Sequence, residues 1–208
     1  MKHGNSFLRL GGLLFALAPC AVLAYSGGPP DRFANNPPNY MNCTACHFSY
    51  ELNSGDGDLV LLGVPAEYVP GETYPLTVIL SDPGQQRWGF EVTVLDDADP
   101  FAQGGSLIVT DPLHTQISED VDGTEDYLKH TSDGTYWPSD GPTEWTFDWV
   151  APELPGITFY LVGNAADGDQ SFIGDYIYAR TVSAVQGEPT PTLESTWGRV
   201  KSLYAQRR

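Results

Sequence analysis

The stretch Trp88-Gly89-Phe90-Glu91-Val92-Thr93-Val94 decides the fold, because large apolar side chains occupy every second position. Successive side chains of a β-strand point to opposite faces, so this period of two predicts a strand with one buried and one wetter face. The same alternation occurs in residues 74–80, 145–149 and 157–161. We predict that the strands at 88–94 and 145–149 face each other in one core, with their Trp and Phe side chains buried.

Turn-forming residues separate these segments, and no long stretch shows the periodicity of a helix. The breaks are Asp82-Pro83-Gly84, Asp122-Gly123, Asp133-Gly134, Pro155-Gly156 and Asp167-Gly168. Gly and Pro at such positions favour turns and interrupt regular structure. About eight short strands with regular turns predict an all-β fold, an Ig-like antiparallel β-sandwich over residues 54–185.

The segments on either side of this sandwich have a different composition. Residues 25–53 are rich in Gly, Pro and Asn, which predicts an irregular arm with a short helical turn after Cys43. Residues 186–208 predict a Pro-containing linker and a short basic helix. Residues 1–24 have a basic start, a short apolar core and small residues at their end, the pattern of a secretory signal peptide. We therefore expect a periplasmic or extracellular protein whose mature chain has no membrane segment.

Charge limits the choice of partners. The 208 residues include 10 basic and 27 acidic ones, a net charge of −17, and residues 1–24 hold two of the basic and none of the acidic ones, so the mature chain carries −19. Such a surface repels nucleic acid and anionic lipid, and it favours a partner with a basic surface. Acidic clusters at 96–99, 119–122 and 167–169 lack the spacing of a full calcium loop, and we interpret them as solvated turns.

The motif Cys43-Thr44-Ala45-Cys46-His47 carries the chemistry. Cys-x-x-Cys-His is the attachment signature of c-type haem, in which two thiols add to the vinyl groups of one porphyrin edge and the adjacent imidazole binds the iron. The only other cysteine, Cys20, is removed with the signal peptide. We predict one covalent haem c on Cys43 and Cys46, with His47 as an iron ligand.

Three other chemistries are open to a pair of cysteines at this spacing. In an oxidising compartment Cys43 and Cys46 can form a local disulfide. A redox dithiol is the second alternative, although it usually occurs in a βαβ context that this sequence lacks. Half of a zinc site is the third, although no second Cys pair completes it.

The iron needs a sixth ligand unless its second face stays open. Besides the motif, the mature chain offers Met41, His114 and His130, and Met41 is too close to the motif to reach the far face easily. His130 lies at the end of a predicted strand and is the preferred ligand, with a hydrogen-bonding structural histidine as the equal alternative. The amine of Tyr25, the residue after the predicted cleavage site, is a further donor. Plant-type cytochrome f uses that arrangement, which is an analogy of architecture.

Several short motifs together resemble the reelin N-terminal-like (reeler-like) domains of bacterial exported proteins, including the group called choice-of-anchor V. They are YSGGPP (25–30), NCTACH (42–47), YVPGETY (68–74), RWGF (87–90), HTS (130–132), WTFDW (145–149), FY (159–160) and GNAA (163–166). The resemblance covers about residues 25–180 and implies an Ig-like β-sandwich, usually tethered at its C-terminus. This chain departs from that pattern because it shows no hydrophobic sorting segment there. Because the HTS motif at 130–132 is part of this resemblance, we rank His130 above His114 as the sixth iron ligand.

Two functions of different class follow. The first is a monohaem cytochrome that moves single electrons between a donor and an acceptor outside the cytoplasm. The second is a binding or adhesion module that has either a structural or sensory haem or a Cys43–Cys46 disulfide. The sequence shows no nucleophile elbow, phosphate loop or dinucleotide fingerprint, so we expect no enzyme by itself, and an electron-transfer subunit of an oxidoreductase is the remaining possibility.

Overall fold

The computed structural model describes residues 25–119 and 123–188, where ten strands form two sheets. The strands are β1 (Asp58–Leu62), β2 (Glu67–Tyr68), β3 (Thr73–Ser81), β4 (Arg87–Asp96), β5 (Ser106–Val109), β6 (Thr115–Glu119), β7 (Asp126–His130), β8 (Thr143–Val150), β9 (Gly156–Ala166) and β10 (Tyr176–Gln186). One sheet has the order β1-β3-β8-β5 and the other β2-β10-β9-β4-β7-β6. Every pair is antiparallel except the short parallel contact of β10 with β2. The predicted all-β, Ig-like antiparallel β-sandwich is confirmed.

Two of the sequence predictions fall on other parts of the chain. The predicted signal peptide and the predicted C-terminal basic helix lie outside the described residues. Within the described residues, no helix is long and apolar enough to cross a membrane.

The core lies between the two sheets and uses the alternating apolar positions. Trp145, Phe147 and Trp149 of β8 are at most 1% exposed. Phe90 of β4 packs on Trp145 with ring centroids 4.5 Å apart, so the two strands predicted to face each other do meet in the core. Both indoles of β8 donate their N–H to a backbone carbonyl, at 2.8 and 2.9 Å, which satisfies the polar end of each buried ring.

Strand β4 departs from the prediction because both of its faces are buried. The alternation predicts a wetter face at Gly89, Glu91 and Thr93, yet all three are buried. The reason is that the arm (residues 25–53) crosses the outer face of the six-stranded sheet. The backbone N–H of Phe33 donates to Glu91 Oε2 at 2.7 Å, directly over β4.

The arm has an irregular backbone, and buried polar contacts hold it to the sheet. Lys129 Nζ, on β7, donates to Asp31 Oδ1 at 2.5 Å. Farther along, Asn36 Nδ2 donates to the hydroxyl of Tyr127 at 3.1 Å. Both sheet residues alternate with the core residue Leu128 and point outward from β7, so the arm replaces solvent on that face.

Replacing Trp145 with alanine tests the core. Trp145→Ala should lower the free energy of unfolding by about 3–5 kcal/mol, because it removes a fully buried ring and leaves a carbonyl without its donor. Urea unfolding followed by far-UV circular dichroism measures this change. The control is Ile108→Ala on β5 of the same sheet, where the side chain is 42% exposed and the loss should stay below about 1 kcal/mol. Equal losses in the two variants would contradict the described core.

Candidate functional site

One cavity brings together the arm, the Cys motif and the end of the six-stranded sheet. It encloses about 860 Å³, including its open mouth. Cys43, Cys46, His47 and His130 all line it, so the four residues singled out from the sequence share one space. Much of the remaining lining is apolar or aromatic, with contributions from Pro29, Pro30, Phe33, Trp88, Phe90 and Ala166.

The Cys motif begins on a single 3-10 turn, Cys43–Ala45, where the sequence predicts a short helical turn. Asn42 caps this turn, because its side chain accepts a hydrogen bond from the turn's backbone at 3.0 Å. The backbone N–H groups of Cys46 and His47 donate to the Cys43 carbonyl at 3.1 and 2.8 Å. Both thiols are free, with Cys43 half-buried and Cys46 exposed.

The surroundings of Cys43 disfavour a redox role for this thiol. Burial, followed by the nearby Glu91 and Cys46, raises the pKa of the Cys43 thiol far above its ordinary value. Redox-active cysteines have a lowered pKa, because the thiolate is the nucleophile. The part of the chain that the structure describes contains no group of three or more His, Cys, Asp or Glu side chains arranged to hold a metal ion.

A buried carboxylate orients His47. Its Nδ1 lies 2.5 Å from Oδ2 of Asp175, an acceptor, so we infer that Nδ1 carries the proton and Nε2 the lone pair. Asn164 Nδ2 lies 3.4 Å from Nδ1 and 3.3 Å from Nε2. These nearly equal distances put the amide near the midline of the ring and away from the direction of the Nε2 lone pair. Nε2 is therefore available to a metal ion or a haem iron.

His130 ends β7, as predicted, and its ring is buried. Burial lowers its pKa to about 4, so the ring is neutral at pH 7 and one of its nitrogens has a lone pair. The pairing of β4 with β7 ends at Glu91 and Lys129. The ring of His130 lies where the next backbone hydrogen bonds between the two strands would form. Nδ1 lies 3.0 Å from the N–H nitrogen of Phe90 and 3.2 Å from its carbonyl oxygen. Either tautomer therefore finds a backbone partner, and in the Nδ1–H form Nε2 has the lone pair that could bind a metal ion.

Gly89 makes room for this ring. A Cβ at position 89 would lie 2.7 Å from Cε1 of His130, closer than side chains approach each other. Glycine at this point of β4 therefore allows the imidazole to lie directly against the strand.

The other donors considered from the sequence have different positions. His114 Nδ1 pairs with Asp111 Oδ2 at 2.6 Å and its ring stacks on Tyr136, away from the cavity lining. Met41 is exposed and is likewise absent from the lining. Tyr25 does line the cavity. Of the four candidate ligands, His130 and Tyr25 line the cavity, whereas His114 and Met41 do not.

A buried group of charges lies under the arm. Glu91 is fully buried, and its Oε1 lies 3.8 Å from Lys129 Nζ without a hydrogen bond. Lys129 donates instead to Asp31 Oδ1 and, at 2.7 Å, to the carbonyl of Pro29. Burial raises the pKa of Glu91 to about 8 against the opposing effect of Lys129, so this carboxyl group is mostly protonated at pH 7.

Sequence reasoning missed Asp175, Asn164 and Glu91. The alternation predicts that Glu91 lies on the wetter face of its strand. The irregular arm that covers this face has no periodic sequence pattern, so the burial of Glu91 could not be predicted. Asp175 lies 128 positions from His47 and meets it only because the arm docks beside the start of β10. No local spacing in the sequence indicates that contact.

Comparisons with known proteins give low similarity. No protein-family profile matches the chain, and no curated protein matches its sequence. Among solved structures, the human F-spondin reeler domain is 18% identical, with 67% of this chain and 96% of that chain covered and a TM-score of 0.45. A cohesin module of a family 33 glycoside hydrolase from Clostridium perfringens is 10% identical, with 65% and 98% covered and a TM-score of 0.43. The fold assignment therefore depends on the strands and core of this chain itself.

Glu91→Gln should reduce the pH dependence of stability. A carboxyl group whose pKa rises on folding from 4.5 to about 8 binds more protons in the folded state over that interval. Its contribution to stability is therefore complete below the unfolded pKa and is lost as the pH rises through about 8. The free energy of unfolding should fall more steeply between pH 5 and pH 9 in the unaltered protein than in Glu91→Gln, which keeps the side-chain size.

Urea unfolding at pH 5, 7 and 9 measures this difference. Glu72→Gln, at an exposed position, is the control and should keep the steeper fall. Parallel pH profiles for all three proteins would show that Glu91 does not titrate differently in the folded and unfolded states.

Proposed function

We propose that this chain is an exported c-type cytochrome that carries one covalent haem and passes single electrons outside the cytoplasm. The observation that supports the proposal is the shared cavity, where the motif thiols, His47 and the neutral His130 line the same apolar space. A flat, largely apolar group with polar edges fits such a lining and an open mouth.

Each of the four residues would have its own role in binding the haem. Cys43 and Cys46 would hold the porphyrin edge through thioether bonds, His47 would bind the iron through Nε2, and His130 would supply the sixth ligand. The haem would supply reversible one-electron exchange of its iron. Trp88 and Phe90 would give the haem an apolar wall, which influences the reduction potential through local polarity.

The raised pKa of Cys43 also bears on the choice between haem and redox dithiol. A thiol that is hard to ionise is a poor partner for thiol–disulfide exchange, because the attacking species is the thiolate. A half-buried thiol at the wall of an apolar cavity is, in contrast, well placed to bond to a group inside that cavity. The proposed partner is a redox protein with a basic surface, since the chain carries a net charge of −17.

An extracellular binding module, with either a structural or sensory haem or a Cys43–Cys46 disulfide, is the second candidate. The observation that favours it is a group of exposed aromatic side chains directly after the motif. Phe48 is 65% exposed and contacts Phe172 with ring centroids 5.4 Å apart, and Tyr50 stacks on Tyr176 at 4.2 Å. Exposed aromatic side chains held by neighbouring rings are common at protein interfaces. A c-type absorption spectrum that dithionite reduces reversibly supports the electron carrier, and absence of that spectrum supports the module with a Cys43–Cys46 disulfide.

Covalent haem is the first expectation. The mature protein, made together with the haem-attachment machinery, should have the mass of the chain plus one haem, and this mass should survive denaturation. Replacing both Cys43 and Cys46 with serine should abolish the added mass. The same chain made without the machinery is the second control. A bare-chain mass with a Cys43–Cys46 disulfide in the fully equipped host would refute the proposal.

His130→Ala should open the sixth position of the iron. The expected result is a high-spin ferric spectrum and binding of carbon monoxide to the ferrous form, because no second imidazole occupies the far face. His114→Ala, a histidine outside the cavity, is the matched control and should leave the spectrum unchanged.

Two other results would change the assignment. An unchanged spectrum in His130→Ala would place the distal ligand elsewhere, and extension of the mature N-terminus beyond Tyr25 would then test the amine. Ready binding of carbon monoxide to the unaltered protein would argue for an open site and against an electron carrier.

A further inference from the structure

We propose that Asp175 is a positioning residue for the haem: it makes His47 a strongly electron-donating ligand and so favours ferric over ferrous iron. This inference rests on the proposed function and deepens it. No feature of the Cys-x-x-Cys-His motif itself requires such a carboxylate, and Asp175 lies far from the motif in sequence.

The contact between Asp175 and His47 is largely buried. The side chain of Asp175 is 1% exposed and that of His47 is 19% exposed. Asp175 Oδ2 lies 2.5 Å from His47 Nδ1, whereas Oδ1 is buried and has no hydrogen-bond partner among the described residues. The negative charge of this carboxylate is therefore directed at the imidazole alone.

A purely structural role explains this arrangement poorly. Burying a carboxylate is unfavourable unless it is paired and its lone pairs are satisfied, and here one oxygen is left without a donor. A positively charged iron bound at Nε2 of His47 would offset the cost of burying the carboxylate, because the carboxylate would then face a cationic imidazole–iron unit. Carboxylates that accept the second N–H of a metal-bound histidine fix its tautomer and raise its basicity. A more basic ligand stabilises the more highly charged, ferric iron.

Rigid neighbours hold the pair in place from both sides. Asp175 directly precedes β10, whose first residue, Tyr176, is paired with Ala165 of β9. On the arm, the hydroxyl of Ser49 accepts a hydrogen bond from the N–H of Gly174 at 3.0 Å. The carboxylate is therefore fixed by the sheet, and the segment that follows the motif is bonded directly to the loop beside it.

Asp175→Asn in the haem-loaded mature protein is the direct test. The substitution keeps the side-chain size and removes the charge. We expect the ratio of ferrous to ferric haem at a fixed potential to rise at least tenfold, which for one electron is a midpoint shift of about 59 mV. The iron–imidazole stretching frequency is read by resonance Raman spectroscopy in five-coordinate ferrous haem, so it is measured in the His130→Ala background. Adding Asp175→Asn there should lower this frequency, because the ligand becomes less basic.

Asp169→Asn is the matched control. This residue is an exposed carboxylate in the loop before β10, and it bonds to Ser171 instead of His47. Its removal changes the net charge equally, but solvent screens the effect, so the midpoint should move far less. Equal shifts in both variants, or no shift in Asp175→Asn, would overturn the inference while leaving the haem assignment intact.

A haem-free readout separates this inference from the proposed function. In the chain made without the attachment machinery, nitrogen NMR of the neutral His47 should show the Nδ1–H tautomer, and Asp175→Ala should shift the population toward Nε2–H. A dominant Nε2–H tautomer in the unaltered chain would overturn the role of Asp175, even if the variants fail to fold. Absence of covalent haem from the fully matured protein would instead overturn the proposed function.

Discussion

The docking of the arm on the outer face of the six-stranded sheet is the contact on which the rest of the structure depends. It is made of polar groups that lose water when the arm closes, so each needs its partner in place. The backbone of Phe33 satisfies one oxygen of Glu91, and Asp31 pairs with Lys129. These pairings hold the arm on the sheet. Because they are directional, they also fix the position of the arm along the strands. The position of the Cys motif follows from that register.

The cavity is a product of this docking and of the strand order. The six-stranded sheet places β9, β4 and β7 side by side, so their ends form one rim although they are far apart in sequence. His130 takes the place of a ladder rung at that rim, and Gly89 leaves the space that its ring needs. The arm then covers the rim from outside. A sandwich without the arm would expose a shallow edge, and an arm without the sandwich would present only a flexible pair of thiols.

Features that local sequence patterns encode could be predicted, whereas contacts between segments far apart in the sequence could not. The alternation of residues 88–94 and 145–149 is local, and it correctly predicted strands whose aromatic side chains meet in the core. The Cys-x-x-Cys-His motif is local as well, and the haem assigned to it stays a prediction. The burial of Glu91 and the contact of Asp175 with His47 are non-local consequences of docking. Periodicity describes how a strand faces its own core, and it contains no information about an irregular segment that covers the other face.

The backbone of Phe90 offers the ring of His130 a hydrogen bond in either neutral tautomer. Its N–H and its carbonyl both lie within hydrogen-bond distance of the same nitrogen of His130. The imidazole can therefore exchange a donated bond for an accepted one by moving a proton, without moving any heavy atom. The hydrogen bond at this end of β7 thus does not depend on which ring nitrogen carries the proton. Both tautomers fit the same backbone, so the end of the strand can keep its shape while the proton moves.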